Sequence, residues 1–134
     1  MNTTVHCIRP LSDSETIPES AKEILGTRCR TNIDLYAEWA AVLGFPAWFG
    51  HNWGDFEDCL RHVTESPDGP VTIVLRNAAF LLEDEGPREL SVLLDILETT
   101  PFGLLLLDDS PCDLNQLARR MTAAGFTPPP MPQD

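Results

Sequence analysis

Apolar residues recur at helical spacing in two stretches of the chain. Leucines at positions 90, 93, 94 and 97 fall on one face of a predicted helix over Leu90–Leu97, and Pro87 precedes them where a first helical turn tolerates proline. The segment Leu35–Leu43 is a second predicted helix, and Thr31 with Asp34 forms a capping box before it. Its inward face carries Leu35, Trp39 and Val42.

Short apolar runs between these helices predict buried strands. Val71–Leu75 follows a turn-rich segment and is rich in β-branched residues, and Phe102–Leu107 is a second run. Glu23–Leu25, just before Gly26, is a third short strand. Strands that alternate with helices indicate parallel pairing. We therefore predict an α/β fold with a small parallel three-stranded sheet packed with helices.

The predicted elements divide the chain into three parts. Residues 1–20 form an N-terminal extension with room for an edge strand, and residues 21–110 form the α/β domain. Residues 111–134 add a C-terminal helix, over about Asp113 to Ala124, and a Pro-rich tail that we expect to be disordered. With 134 residues, of which 43% are hydrophobic, the chain suits one domain with its own core.

Charge narrows the classes of partner. The chain has 21 acidic and 9 basic residues, a formal net charge of -12, which repels nucleic acid and anionic membrane surfaces and attracts basic proteins. The start of the chain lacks the pattern of a signal peptide, and no apolar stretch approaches the roughly 18 residues of a membrane span. Cysteines at positions 7, 29, 59 and 112 form no CxxC pair. We expect a cytoplasmic protein without a metal or cofactor.

The segment Phe45–Leu60, FPAWFGHNWGDFEDCL, is unusual for a helix start. Asn52 is a preferred N-cap, so we predict a helix from Trp53, with Asp55 reaching back to the cap. Its buried stripe consists of residues 53, 56, 60 and 63, and Asp58 then points outward on the same side as Gly54. Three acids close together, Asp55, Glu57 and Asp58, are also what a solvated first turn contains.

Two adjacent aromatic residues precede this helix. Trp48 and Phe49 point to opposite sides if the segment is extended, so only one of them enters the core. The other is then a large exposed aromatic residue beside an outward carboxylate. That combination is enriched at protein interfaces.

The string FPAWFGHNWGDFEDCL resembles the barstar family, the intracellular inhibitors of secreted microbial ribonucleases. The family pattern is Pro, an aromatic pair, Gly, any residue, Asn, and an acidic helix that ends in Asp-Cys-Leu. The resemblance covers roughly residues 21–107, loosely in its second half. It implies an inhibitor without catalytic residues, whose partner is a basic secreted or toxin ribonuclease.

The resemblance also implies roles for individual residues. Asp58, before Cys-Leu, would enter the ribonuclease active site in place of a substrate phosphate, and Trp48 would pack on the rim of that site. Gly50 and Asn52 match family positions that touch the enzyme, and Phe49 would point inward. The remaining residues of the predicted partner-binding surface are His51, Gly54, Asp55 and Glu57.

Gly54 departs from the family pattern. Family members usually carry a second acid there, whereas this chain has its acid one position later, at Asp55, rotated by about 100°. Glu89 and Leu90 compete for the family's acidic contact on the third helix. An immunity or binding protein directed at a different toxin nuclease, or at another basic protein, is therefore the alternative.

Two other site chemistries are disfavoured. Cys59 and His62 have CxxH spacing near His51, but no second ligand pair exists for zinc. Asp108 and Asp109 follow an apolar run, where α/β folds place ligand sites, which leaves a small-molecule enzyme as a rival. Acids at a strand end are more often turn residues.

Overall fold

The computed structural model describes residues 3–4, 8–12, 16–65, 71–100 and 103–131. In chain order its elements are β1 (Thr3–Thr4), β2 (Ile8–Pro10), β3 (Lys22–Leu25), α1 (Asn32–Leu43), α2 (Trp53–Thr64), β4 (Thr72–Arg76), α3 (Pro87–Thr99), β5 (Leu104–Asp108), α4 (Pro111–Ala123) and β6 (Phe126–Thr127). Short 3-10 turns follow β3 and β4. The α/β class is confirmed.

The main sheet is parallel throughout and has the order β2-β5-β4-β3. It contains four strands among the described residues, so the prediction of three was wrong. The additional strand, β2, comes from the segment assigned as an N-terminal extension and pairs with β5. Its sequence, Ile-Arg-Pro, shows no apolar run, and its Pro10 is tolerated because the strand lies at the edge of the sheet.

One face of the sheet forms the core together with the helices. Ile24, Leu75 and Leu107 are neighbours across β3, β4 and β5, and they belong to the same buried cluster as Leu35, Phe56 and the leucines of α3. Val74 and Leu106 pair on the opposite face, and both are also fully buried. Burial on both faces explains why these strands appear in the sequence as continuous apolar runs.

Arg76, at the end of β4, links three strands. Its guanidinium donates to Glu23 of β3 at 2.7 Å and to Asp108 of β5. These hydrogen bonds, to Asp108 first and Glu23 second, raise the pKa of Arg76. The last residue of β3 is also tied to α1, since the Leu25 N–H donates to the Glu38 carboxylate at 3.1 Å.

Side-chain caps fix where the helices begin. The Thr31 hydroxyl accepts a hydrogen bond from the Asp34 N–H at 3.1 Å, so α1 starts at Asn32, three residues before the predicted start. Gly44 ends the helix in a left-handed conformation, with φ 70°. Pro87 occupies the first turn of α3, as predicted.

The C-terminal segment packs on the same core. Leu114, Leu117 and Met121 of α4 belong to the buried cluster. Pro129 is buried and Met131 packs against the cluster, so the expected disorder of the tail does not hold for residues 128–131. Residues 132–134 lie outside the described part of the chain. No helix among the described residues is long and apolar enough to cross a membrane.

Gly26 follows β3 at a point where two backbone segments nearly touch. A Cβ on this residue would lie 2.8 Å from the carbonyl oxygen of Arg76 and closer still to that of Asn77. Both neighbours are backbone atoms, which move only if the turn after β4 moves. We predict that Gly26→Ala lowers the free energy of unfolding by about 2–3 kcal/mol, measured by chemical denaturation.

Gly86→Ala is the matched control. No atom lies within 4 Å of a Cβ built on Gly86, and its φ of -75° suits any residue. Gly86→Ala should lower the free energy of unfolding by less than about 1 kcal/mol, which is the cost of a poorer N-cap residue. Equal losses in the two variants would contradict the close approach at Gly26.

Candidate functional site

Asn52 and Asp55 hold the loop before α2 by two linked hydrogen bonds. The Asn52 Oδ1 accepts from the Asp55 N–H at 2.8 Å and caps α2, which begins at Trp53 as predicted. The Asp55 carboxylate accepts from the Gly50 N–H at 2.8 Å, and not from the cap residue as the sequence suggested. Asp55 is half-buried in this position. Loop and helix are therefore locked together.

His51 lies in this loop with an uncommon backbone conformation. Its φ of 56° is left-handed, which is uncommon for a residue other than glycine. The exposed imidazole lies against the Phe49 ring, with the ring centroids 4.7 Å apart. The stacked ring and the neighbouring cap hold the backbone in this conformation.

An aromatic cluster supports the loop from below. Tyr36 of α1 belongs to it, with ring centroids 5.1 Å from Trp53 and 6.0 Å from Phe49. Phe56 contacts Tyr36 and also Phe45. Edge-to-face contacts of this kind are favourable beyond the area that they bury. The predicted inward face of α1 left out Tyr36, because this residue follows Leu35 directly and lies about 100° around the helix from it.

The aromatic pair splits between core and surface. Phe49 is 8% exposed and lies in the cluster, whereas Trp48 is 56% exposed. The expectation that one ring points in and the other out is confirmed. Trp48 is a large apolar surface immediately before the locked loop.

The outward face of α2 is polar and open. Asp58 is exposed, and no hydrogen bond or ion pair to it occurs among the described residues. Gly54, one turn earlier, is exposed, and a Cβ there would meet only the Asn52 Oδ1, at 3.4 Å. Glu57 is half-buried, and Gly50 and Asn52 are exposed.

Glu89 joins this region from α3. The Trp53 indole N–H donates to the Glu89 carboxylate at 2.6 Å, which fixes a half-buried acid beside the start of α2. Leu90 is 1% exposed and faces the core, so only Glu89 of the two is accessible to a partner. The sequence left this choice open because the length of the preceding loop set the alignment. The helical spacing of Leu90 with Leu93 and Leu97 favoured the same answer.

The acids of the rival strand-end site both have hydrogen-bond partners among the described residues. Asp108 is paired with Arg76, and Asp109 accepts from the Ala79 N–H at 3.1 Å and the Ser110 N–H at 2.8 Å. Asp108 thus ties β5 to β4, and Asp109 ties the end of β5 to the turn after β4. Cys59 is buried and His62 is exposed, and the described residues contain no cluster of potential metal ligands. Burial raises the pKa of Cys29 to about 12, which keeps this thiol protonated and unreactive.

Comparison with protein families gives one match over this part of the chain. The model of the family described as Barstar (barnase inhibitor) matches residues 20–102, which is more than half of the chain. The match spans β3 through α3, including the locked loop and the exposed face of α2. It ends before β5 and α4. No curated protein matches the chain.

The hydrogen bonds of Asp55 to Gly50 and Asn52 should stabilise the folded protein. Asp55→Ala removes a charge-assisted acceptor from the Gly50 N–H and should lower the free energy of unfolding by about 1–3 kcal/mol. The same substitution should speed hydrogen exchange at the Gly50 amide, measured by NMR. Asp58→Ala is the control, and its effect should lie within about 0.5 kcal/mol because Asp58 has no partner in the described structure. A Gly50 amide that is equally protected in both variants would contradict the lock.

Proposed function

This chain belongs to the barstar family, and on that premise we propose that it inhibits a basic microbial ribonuclease by inserting Asp58 into the active site of that enzyme. In this role the protein is a binding partner and not an enzyme. We further propose that it acts in the cytoplasm, as an immunity protein for the cell that makes the nuclease. The observation that carries the proposal is an exposed, unpartnered carboxylate on a helix whose start is locked in place.

Asp58 suits a cationic pocket because its position is fixed by the helix and its carboxylate has no partner among the described residues. Its helix is anchored by Phe56, Cys59 and Leu60, all fully buried, so the position of the carboxylate is set before binding. Less entropy is then lost on association than for a carboxylate on a mobile loop. Once desolvated against basic side chains, such a carboxylate forms short, charge-assisted hydrogen bonds.

Trp48 and Glu89 extend the proposed contact to either side. Trp48 supplies exposed aromatic area beside the loop, of the kind that dominates binding energy at protein interfaces. Glu89 adds a second carboxylate, held by the Trp53 indole. The net charge of -12 then accelerates the encounter with a basic protein.

Gly54 favours a second candidate with the same fold. The surface above it is open and carries no acid, so a target that requires a second carboxylate at this point is bound less well. The partner is then a different toxin nuclease or another basic protein. Capture from the lysate of the source cell, compared with a panel of purified basic nucleases, separates the two candidates. Gly54→Asp should improve inhibition only of nucleases that need that acid.

The decisive test is inhibition of a barnase-like microbial ribonuclease by the purified protein. We expect tight inhibition that Asp58→Ala weakens by at least about 100-fold, because one member of a buried ion pair is removed. Association should slow as salt rises, since salt screens the attraction between the proteins.

Asp95→Ala is the control for the loss of one negative charge. Asp95 is exposed on α3 at a position outside the candidate site, so its substitution should change inhibition less than about threefold. Absence of inhibition by the folded wild-type protein, or equal losses in the two variants, would contradict the proposal.

A further inference from the structure

The exposed face of α2 carries an acidic residue and, one helical turn later, basic residues. Asp58 is followed at i+3 by Arg61 and at i+4 by His62, and all three side chains are exposed. Residues at these spacings are neighbours on a helix surface. None of the three is paired with another group in the described part of the chain. Beside the exposed Asp58 carboxylate therefore lies one exposed cation, Arg61, that has no side-chain partner among the described residues.

The helix itself gives a first reason for Arg61 and His62. Basic residues in the last turn interact favourably with the helix dipole, and both residues lie there. That interaction is a reason for basic residues at these positions, and both side chains remain accessible to a partner. It does not remove their effect on a protein that approaches Asp58.

The size of a protein interface brings Arg61 into any contact centred on Asp58. A specific interface covers about 800 Å² of each partner, a patch roughly 30 Å across. One turn of helix is only about 5.4 Å long. With Trp48 on the N-terminal side of the patch, Arg61 and His62 fall inside its C-terminal side. A uniformly basic partner would then place like charges opposite Arg61, which is strongly unfavourable.

We propose that this surface fits a partner with charges of both signs: a cationic pocket for Asp58 and, about one helical turn away, a carboxylate that pairs with Arg61. The inference rests on the proposed function, because it takes Asp58 as the centre of the contact. It makes Arg61 a specificity-determining residue, which selects nucleases with an acidic rim beside the basic cleft and rejects those that are basic throughout.

Charge reversal at Arg61 tests the inference by the sign of the effect. The net charge of the chain becomes more negative in Arg61→Glu, so attraction by overall charge alone predicts tighter binding to a basic ribonuclease. A carboxylate opposite Arg61 predicts the reverse. We expect Arg61→Glu to raise the Kd for the inhibited barnase-like ribonuclease about tenfold, and Arg61→Gln about threefold.

Arg119→Glu is the matched control, because Arg119 is exposed on α4 and the change in charge is identical. Its Kd should stay unchanged or fall slightly. Chemical denaturation of each variant verifies the fold, and Arg61→Gln serves if Arg61→Glu is unstable. Tighter binding by Arg61→Glu and Arg61→Gln, with Asp58→Ala still inactive, would overturn the inference and leave the proposed function intact. Absence of inhibition by the wild-type protein would overturn both.

Discussion

The first turn of α2 sets the direction of the side chains that this helix contributes to the candidate site. A helix that began one residue earlier or later would rotate its side chains by about 100°, enough to turn Asp58 towards the core or sideways. Asn52 prevents this by accepting the Asp55 N–H, while the Asp55 carboxylate holds the Gly50 N–H. Three residues thus fix the start of the helix, the shape of the loop and the outward direction of Asp58.

The same hydrogen bonds determine the direction of the acid next to Gly54. In this chain the acid that follows the cap lies at position 55, where it faces inward to the loop rather than outward to a partner. Gly50 is needed for this arrangement, since a Cβ there would lie 2.5 Å from the Asp55 carboxylate. Asp55 therefore organises this surface and adds no outward carboxylate to it.

Local signals in the sequence were sufficient for the elements around the site. The Asn52 cap, the apolar stripe of α2 and the leucine spacing of α3 each depend on residues within one or two turns. Contacts between distant segments were not predictable in this way. The strand β2 forms because β5 offers it an edge, and the Trp53–Glu89 hydrogen bond joins residues 36 positions apart. Tyr36 joins the aromatic cluster through contacts with Phe49 of the loop and Trp53 of α2, both distant from it in sequence.

The pairing of β1 with β6 has a mechanical consequence. These strands are parallel, with Thr3 beside Phe126 and Thr4 beside Thr127, so they join the two ends of the described chain. Tension applied before Thr3 and after Thr127 pulls the strands from opposite ends and loads their hydrogen bonds together, in shear. An antiparallel pair in the same place would open one bond at a time, like a zip. The pair of β1 and β6 therefore resists stretching of the chain from its two ends. Both strands are remote in sequence from Asp58 and the loop before α2.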